Sequence, residues 1–272
     1  MCVRMPAWPQ GCLFAVLFWI AVCMAGLPGA ALASGERPIV AAASDLQFAL
    51  TDVAERFEAD TGKSVRLNFG SSGNFRRQIA QGAPFELYLS ADEAYVEALH
   101  RDGHTVDAGV LYAVGRVVVI APAAEGGAGI ADGSLETLAR RLEAGDIRRF
   151  AIANPAHAPY GVAAQQALEA AGLWERIRPH LVFGENVSQA ARYALSGDTD
   201  GGIVAYSLAL APAIRARADF ALIAEDQHAP LRQRMVLIEG AGETARAFHD
   251  YIQGDAARTI LAEYGFVVPE DE

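Results

Sequence analysis

Val65-Arg66-Leu67-Asn68-Phe69-Gly70-Ser71-Ser72-Gly73-Asn74-Phe75-Arg76-Arg77-Gln78-Ile79-Ala80 reads as a short strand, a glycine-flanked turn and a helix. Val65, Leu67 and Phe69 alternate with Arg66 and Asn68, the period-2 pattern of a half-buried strand. Gly70 and Gly73 permit a tight turn, and two hydroxyls stand just ahead of the helix carrying Phe75 and Ile79. A helix start presents unpaired N–H groups and the positive end of the dipole, so this turn is suited to hold an anion. The plainer alternative is that Ser72 only caps the helix.

Upstream, residues 39–43 form a buried strand, and Ser44-Asp45-Leu46-Gln47 has the S-x-x-Q form of a capping box. The helix behind it puts Leu46, Leu50, Val53, Ala54 and Phe57 on one face. With the strand at Val65 this makes a βαβ unit, hence parallel pairing and a right-handed crossover. Downstream, Phe85, Leu87 and Leu89 alternate as a third strand. Ser90-Ala91-Asp92-Glu93 reads as another capping box, and 117–120 is a continuous apolar run suited to a strand buried on both faces. The Gly- and Ala-rich stretch 123–133 is a loop and a candidate boundary. A second series follows: helix 135–142, strand 150–153, helix 162–171, strand 181–183, helix 187–195 and strand 203–206. A late strand at 235–238 and helices at 245–252 and 256–264 close the chain. Strands alternating with helices throughout give an α/β architecture, whose ligands bind where strands end and helices begin.

The first 33 residues read as a cleavable signal peptide: Arg4, an apolar run of 14 residues from Cys12 to Ala25, and Ala31-Leu32-Ala33 ahead of Ser34. A retained anchor and a lipoprotein cut before Cys23 are the alternatives. Bulky Val22 disfavours the latter, and no later run reaches the ~18 apolar residues of a membrane span. Cys2, Cys12 and Cys23, the whole complement of three, fall in this segment, so a chain starting at Ser34 has no disulfide, thiol nucleophile or thiolate metal site. Removing Arg4 from the 22 Lys and Arg leaves 21 against 33 Asp and Glu, a balance of −12. Such a surface repels nucleic acid and anionic lipid, so any bound anion must be held by local dipoles.

Four strand-to-helix turns carry suitable chemistry: Ser44; Ser72; Ala158-Pro159-Tyr160-Gly161; and Gly184-Glu185-Asn186-Val187, where Asn186 and Gln189 have cap spacing. Two lie in each half of the chain, as a cleft between two lobes requires. Backbone N–H groups and the Ser44 and Ser72 hydroxyls are neutral donors, and a tetrahedral oxyanion offers only acceptors. The six histidines show no metal-ligand spacing and are expected solvated or partly packed, and Arg76-Arg77 are expected on a solvated face.

These residues resemble the molybdate-binding proteins of bacterial ABC importers. The likeness rests on Ala41-Ala42-Ala43-Ser44, Phe69-Gly70-Ser71-Ser72-Gly73, Gln81-Gly82-Ala83-Pro84, Ser90-Ala91-Asp92-Glu93, Asn154-Pro155 with Ala158-Pro159-Tyr160-Gly161, Gly184-Glu185-Asn186-Val187, and the ending from Phe248 to Phe266, in that order over nearly all of the chain after residue 33. The resemblance implies a type II periplasmic-binding fold: two α/β lobes, a hinge crossed twice, and an oxyanion enclosed between them. It divides the chain into 1–33 (signal peptide), 34–119 with 226–272 (first lobe) and 120–225 (second lobe). It implies that Ser44 and Ser72 give hydroxyl and N–H, and that Tyr160 and Val187 give N–H. No catalytic residue, cofactor or direct protein–metal ligand is implied, molybdenum being present only within its oxyanion. It further implies a monomeric periplasmic receptor that takes molybdate or tungstate to a membrane permease, with no nucleic-acid partner.

Two positions depart from the family. Tyr206 stands one place late in Gly202-Ile203-Val204-Ala205-Tyr206, which aims it at the opposite face from a ligand-donating tyrosine. Asp45 stands where some relatives have Asn or Leu; a carboxylate beside an oxyanion repels it, so Asp45 is expected to turn outward in the first helical turn. The Ser44 hydroxyl is expected on the ligand, and on Gln47 as a cap when the site is empty. Competing readings are a receptor for sulfate or another tetrahedral oxyanion, a secreted hydrolase using Ser44 or Ser72, and a sensor or adhesion domain without ligand. No G-x-S-x-G elbow surrounds either serine, which weighs against the hydrolase.

Overall fold

The computed structural model describes residues 37–123 and 129–269. The expected signal peptide, all three cysteines and part of the 123–133 loop lie outside the described residues.

In chain order the elements that matter are β1 (Ile39–Ala43), α1 (Ala49–Thr61), β2 (Arg66–Gly70), α2 (Ser72–Ala80), β3 (Leu87–Ser90), α3 (Glu93–Arg101), β4 (Val110–Gly115) and β5 (Val117–Pro122). They continue with α4 (Glu136–Ala144), β6 (Phe150–Ala153), α5 (Pro159–Ala170), β7 (Leu181–Gly184), α6 (Val187–Ala194), β8 (Gly202–Ala205), α7 (Tyr206–Leu210) and β9 (Ala218–Leu222). The chain then finishes with β10 (Leu231–Leu237), α8 (Glu243–Gln253) and α9 (Asp255–Glu263). The strands form two five-stranded sheets, β2-β1-β3-β10-β4 and β7-β6-β8-β5-β9. The chain passes from the first to the second at Arg116, between β4 and β5, and returns between β9 and β10.

β1 pairs in parallel with β2 and β3, as the βαβ pattern requires, whereas β10 runs antiparallel between β3 and β4. The second sheet repeats the plan: β6 is parallel to β7 and β8, and β5 is antiparallel to β8 and β9. Val117 to Val119, which the resemblance assigns to the first lobe, pair with Ala205 to Ile203 of β8 at the heart of the second sheet. Their continuous apolar character suits that central position. β4 and β9, which escaped the sequence, lie at the outer edges of their sheets.

Each lobe has its own core. Phe57 of α1, fully buried, packs with Phe248 and Tyr251 of α8 at ring-centroid distances of 5.0 and 5.3 Å. On the other face of the first sheet, Phe75 of α2 meets Phe85 edge-on at 5.3 Å. In the second lobe Phe150, Ile120, Ile203 and Val204 are fully buried beneath α5 and α6. That core is continuous with Ala43, Ala91 and Leu231 of the first lobe, so the two lobes meet in contact. Arg116 ties the crossing: its guanidinium donates to the Gly265 carbonyl at 3.0 and 2.7 Å and lies 4.9 Å over the Tyr206 ring.

Candidate functional site

β1 ends at Ala43 and the chain turns at once into a 3-10 turn, Ser44–Leu46. The Ser44 hydroxyl does not cap this turn; Gln47 N–H is taken by the Ser44 carbonyl instead. The expected capping box therefore fails, because the hydroxyl is used across the cleft. Ser188 N–H, in the first turn of α6, donates to Ser44 Oγ at 3.3 Å, and Ser188 Oγ donates to the Ser44 carbonyl at 2.7 Å.

Ser72 begins α2 and is 1 % exposed. It makes no cap. Its Oγ accepts the Ala91 N–H at 3.0 Å, and the buried Tyr88 hydroxyl donates to its carbonyl at 2.8 Å. Ser44 and Ser72 thus share one arrangement: a backbone N–H occupies an oxygen lone pair and leaves the hydroxyl proton to give elsewhere.

Tyr160 and Val187 stand in the first turns of α5 and α6, where no preceding carbonyl is in register with their N–H groups. Pro159 at the first helical position suits the start of α5. Asn186 caps α6, its Oδ1 accepting Gln189 N–H at 3.0 Å as the spacing predicts, and Gln189 Oε1 takes the Glu185 N–H at 2.6 Å. The Ser90 box is different: Asp92 caps α3 through Ala94 N–H, while Glu93 engages Arg232 and Arg234.

Ser44, Ser72, Tyr160 and Val187 all line one cavity between the lobes, with Gly70, Ser71 and Ala91 on one side and Ala158 and Pro159 on the other. It measures about 10 Å3, the scale of a single water molecule. Each of the four is at most 4 % exposed. No Lys or Arg is among the lining residues. A larger, open cavity of about 390 Å3 on the first lobe is edged by Arg232, Arg234 and Arg258, but the two β10 arginines there are engaged by Glu93. Arg76 pairs with Asp102 and Arg77 with Asn74, away from the cleft as expected.

Asp45 corrects the sequence-based expectation. It does not turn outward: it is 1 % exposed, lines the same cavity, and accepts from Gln233 Nε2 through Oδ2 at 2.6 Å. Gln233, fully buried on β10, also donates to the Tyr160 hydroxyl at 3.2 Å and accepts from the Tyr112 hydroxyl at 2.7 Å. Burial pushes the Asp45 carboxyl up to about 6, against the opposing pull of the Gln233 and Tyr160 hydrogen bonds. Tyr112 and Tyr160 are held well above the ordinary phenol value by burial, reinforced by the Asp45 charge. Helix-capping logic failed here because the turn sits between two lobes, with Ser207 Oγ of α7 donating to the Asp45 carbonyl at 2.8 Å.

Two further groups close the cleft. His157, expected solvated or partly packed, is 8 % exposed; its Nδ1 is 2.9 Å from Ser71 Oγ, and its carbonyl accepts Gly73 N–H at 3.0 Å. Nothing local marks His157 for this task. Gln233 did leave a signal: Leu231, Gln233, Met235 and Leu237 share one strand face, which puts a polar side chain in an apolar row. Tyr206 is not part of the cavity; its ring packs against Phe220 and beneath Arg116.

Two mixed sheets, two crossings and a donor-lined cavity between them define the architecture of a periplasmic-binding-protein fold. A family described as bacterial extracellular solute-binding protein matches residues 39–267. The molybdate-binding protein ModA of Azotobacter vinelandii is 33 % identical over 84 % of this chain and 88 % of its own length. The corresponding protein of Rhodobacter capsulatus is 32 % identical over 91 % of this chain and 95 % of its own. The solved periplasmic molybdate-binding protein of Azotobacter vinelandii superposes with a TM-score of 0.77 at 29 % identity, covering 86 % of this chain and all of that one. The chain belongs to the bacterial extracellular solute-binding protein family, in the group of the ModA molybdate-binding proteins.

Proposed function

We propose that this protein captures molybdate in the periplasm and delivers it to the membrane permease of an ABC importer. In this reading residues 1–33 are removed on export and the mature chain acts as a monomer. The lobes are the two sheets with their helices, pivoting about Arg116 and the segment 223–230. Ser44 and Ser72 donate through hydroxyl and N–H, and Tyr160 and Val187 through N–H. Tungstate, a tetrahedral dianion of the same acceptor pattern, is the expected second ligand.

The observation that carries the reading is the convergence of these four buried residues, from helix starts in both lobes, on one cavity whose lining includes no cationic side chain. Neutral donors match an ion that has only acceptors, and each hydrogen bond to an ionised partner is about twice as strong as a neutral one. The names of the relatives turn "oxyanion" into molybdate. The hydrolase reading has no support at Ser44 or Ser72, whose hydroxyls meet backbone N–H groups and not a base. Ser71 does meet His157, but Glu185 is 3.6 Å from that ring and largely exposed, and the pair bridges the two lobes.

Thermal melts with molybdate, tungstate, sulfate and phosphate test the proposal. A ligand at about 100 times its dissociation constant adds about 2.7 kcal/mol. Stabilisation by molybdate and tungstate is expected. A shift with sulfate alone would favour a sulfate receptor, and none with any oxyanion would leave only a fold without a ligand.

A further inference from the structure

Asp45 is a carboxyl in the wall of a cavity that, on the reading above, receives a dianion. We propose that Asp45 governs which oxyanions the site accepts: it takes one proton from solvent as a fully deprotonated tetrahedral dianion binds, and in that form it is a donor to the ligand.

The geometry separates the two carboxyl oxygens. Oδ2 accepts the Gln233 amide at 2.6 Å, and Gln233 is itself fixed by the Tyr112 and Tyr160 hydroxyls. Oδ1 is buried and has no hydrogen-bond partner. An unpaired carboxylate oxygen in an interior is costly, and the cost rises when a second anion is placed against the same wall. A proton on Oδ1 removes the repulsion and turns the orphaned atom into an O–H donor, the one kind of group such a ligand can use.

The titratable groups facing Asp45 are Tyr112 of β4 and Tyr160 of α5, both neutral phenols. The other elements packed against its turn bring no charge to it. Asp52, Glu55, Arg56, Glu58 and Asp60 of α1, Arg66 of β2 and Arg192 of α6 are exposed, and α7 presents Ser207. Among the described residues, no cation neutralises Asp45. Burial, partly offset by hydrogen bonds from Gln233, Tyr160 and the Asp45 and Leu46 backbone, already places the carboxyl at about 6, so near neutral pH it is mostly ionised before the ligand arrives and has a proton to gain. An ionised Asp45 would instead be an acceptor, which suits an oxyanion that still carries its own proton, such as hydrogen phosphate.

The test is calorimetric titration of the chain lacking residues 1–33 with sodium molybdate, in two buffers of different ionisation enthalpy near pH 7.5. An affinity series between about pH 6.5 and about pH 8.5 accompanies it. The wild type should take up about one proton per molybdate, and its affinity should fall about tenfold per pH unit. Asp45→Asn, which cannot ionise, should take up none and bind with a flat pH profile. Absence of proton uptake by the wild type overturns the proposal without recourse to any variant, as does equal uptake by Asp45→Asn. Phosphate binding more tightly than molybdate to the wild type, with the order reversed in Asp45→Asn, also overturns it, since Asp45 would then act ionised. If neither protein binds molybdate at any pH, it is the transport reading that fails.

Discussion

Replacing Asp45 by Asn in the ligand-free protein isolates the energetic cost of that carboxyl. Its folded value is raised from the ordinary 3.8 to about 6, so between these limits the folded chain holds the proton more tightly than the unfolded chain. The sign follows: the stabilising share of the protonated group is complete below about pH 4 and is lost as pH rises to about 6. Above that the folded state bears the full cost of a buried carboxylate. At 1.36 kcal/mol for each tenfold change in proton affinity, that cost is about 3 kcal/mol. Asn keeps an oxygen for Gln233 Nε2 and carries no charge, so Asp45→Asn should be more stable than the wild type by about 2–3 kcal/mol at pH 7.5 and by almost nothing at pH 4. For a domain of this size that is a rise in Tm of roughly 5–10 °C at neutral pH.

Urea unfolding of both proteins at pH 4, 5, 6 and 7.5, after exhaustive removal of oxyanion, measures the difference. Asp60, Glu93, Glu243 and Asp132 have values lowered by hydrogen bonds and ion pairs, so they destabilise the fold as pH falls, the opposite slope. They are the same in both proteins and cancel. A gap that is constant across pH, or an Asn variant less stable at pH 7.5, would refute the placement of an uncompensated carboxylate at this site.

Ser72→Ala removes one charge-assisted hydrogen bond and should weaken molybdate binding by roughly 1.5–3 kcal/mol, about 10- to 150-fold by calorimetry. It also strips Ala91 N–H of its acceptor, so the ligand-free melt should fall too. Gly73→Ala leaves every proposed ligand group in place but sets a Cβ 2.7 Å from the His157 carbonyl. Backbone cannot yield cheaply there, so X-ray scattering should show a more open molecule with ligand, and affinity should drop at least about tenfold. Phe57→Ala, at a fully buried ring between Phe248 and Tyr251, should cost about 3–5 kcal/mol in urea unfolding while the site keeps its geometry.

What could be read from the sequence divides along a physical line. Helix starts are local: glycine, a hydroxyl or Pro ahead of an apolar period are sufficient to place the four turns, the resemblance singles out Tyr160 and Val187 within two of them, and the structure brings these and Ser44 and Ser72 to one cavity. Partners are not local. Whether the Ser44 oxygen serves Gln47 or Ser188 depends on a residue 144 positions away. The Asp45 side chain followed the wrong rule for the same reason: a carboxylate in a helix's first turn faces water only if that turn is at a surface, and this one is buried between lobes. The edge strands β4 and β9 were lost because part of each is only half-buried, which blurs the alternation that marks a strand.

The same dependence on distant partners explains how a strongly acidic chain could hold an anion without a cation. Across the cleft, Ser188 N–H donates to Ser44 Oγ and Ser188 Oγ to the Ser44 carbonyl. The hydroxyl proton is then left pointing away from an occupied lone pair, ready for an acceptor in the cavity. Ser72 is prepared from within its own lobe, its Oγ accepting the Ala91 N–H. On the proposed reading, ligand binding and closure would be a single equilibrium, in which a ligand shifts the lobes only by the contacts that the closed form adds. Neutral donors carry no charge of their own for solvent to compete over, so their worth is realised when the cavity is sealed. On the proposed reading, the net charge of −12 after residue 33 would act mainly on the rate at which the anion arrives, and little on the ion once enclosed.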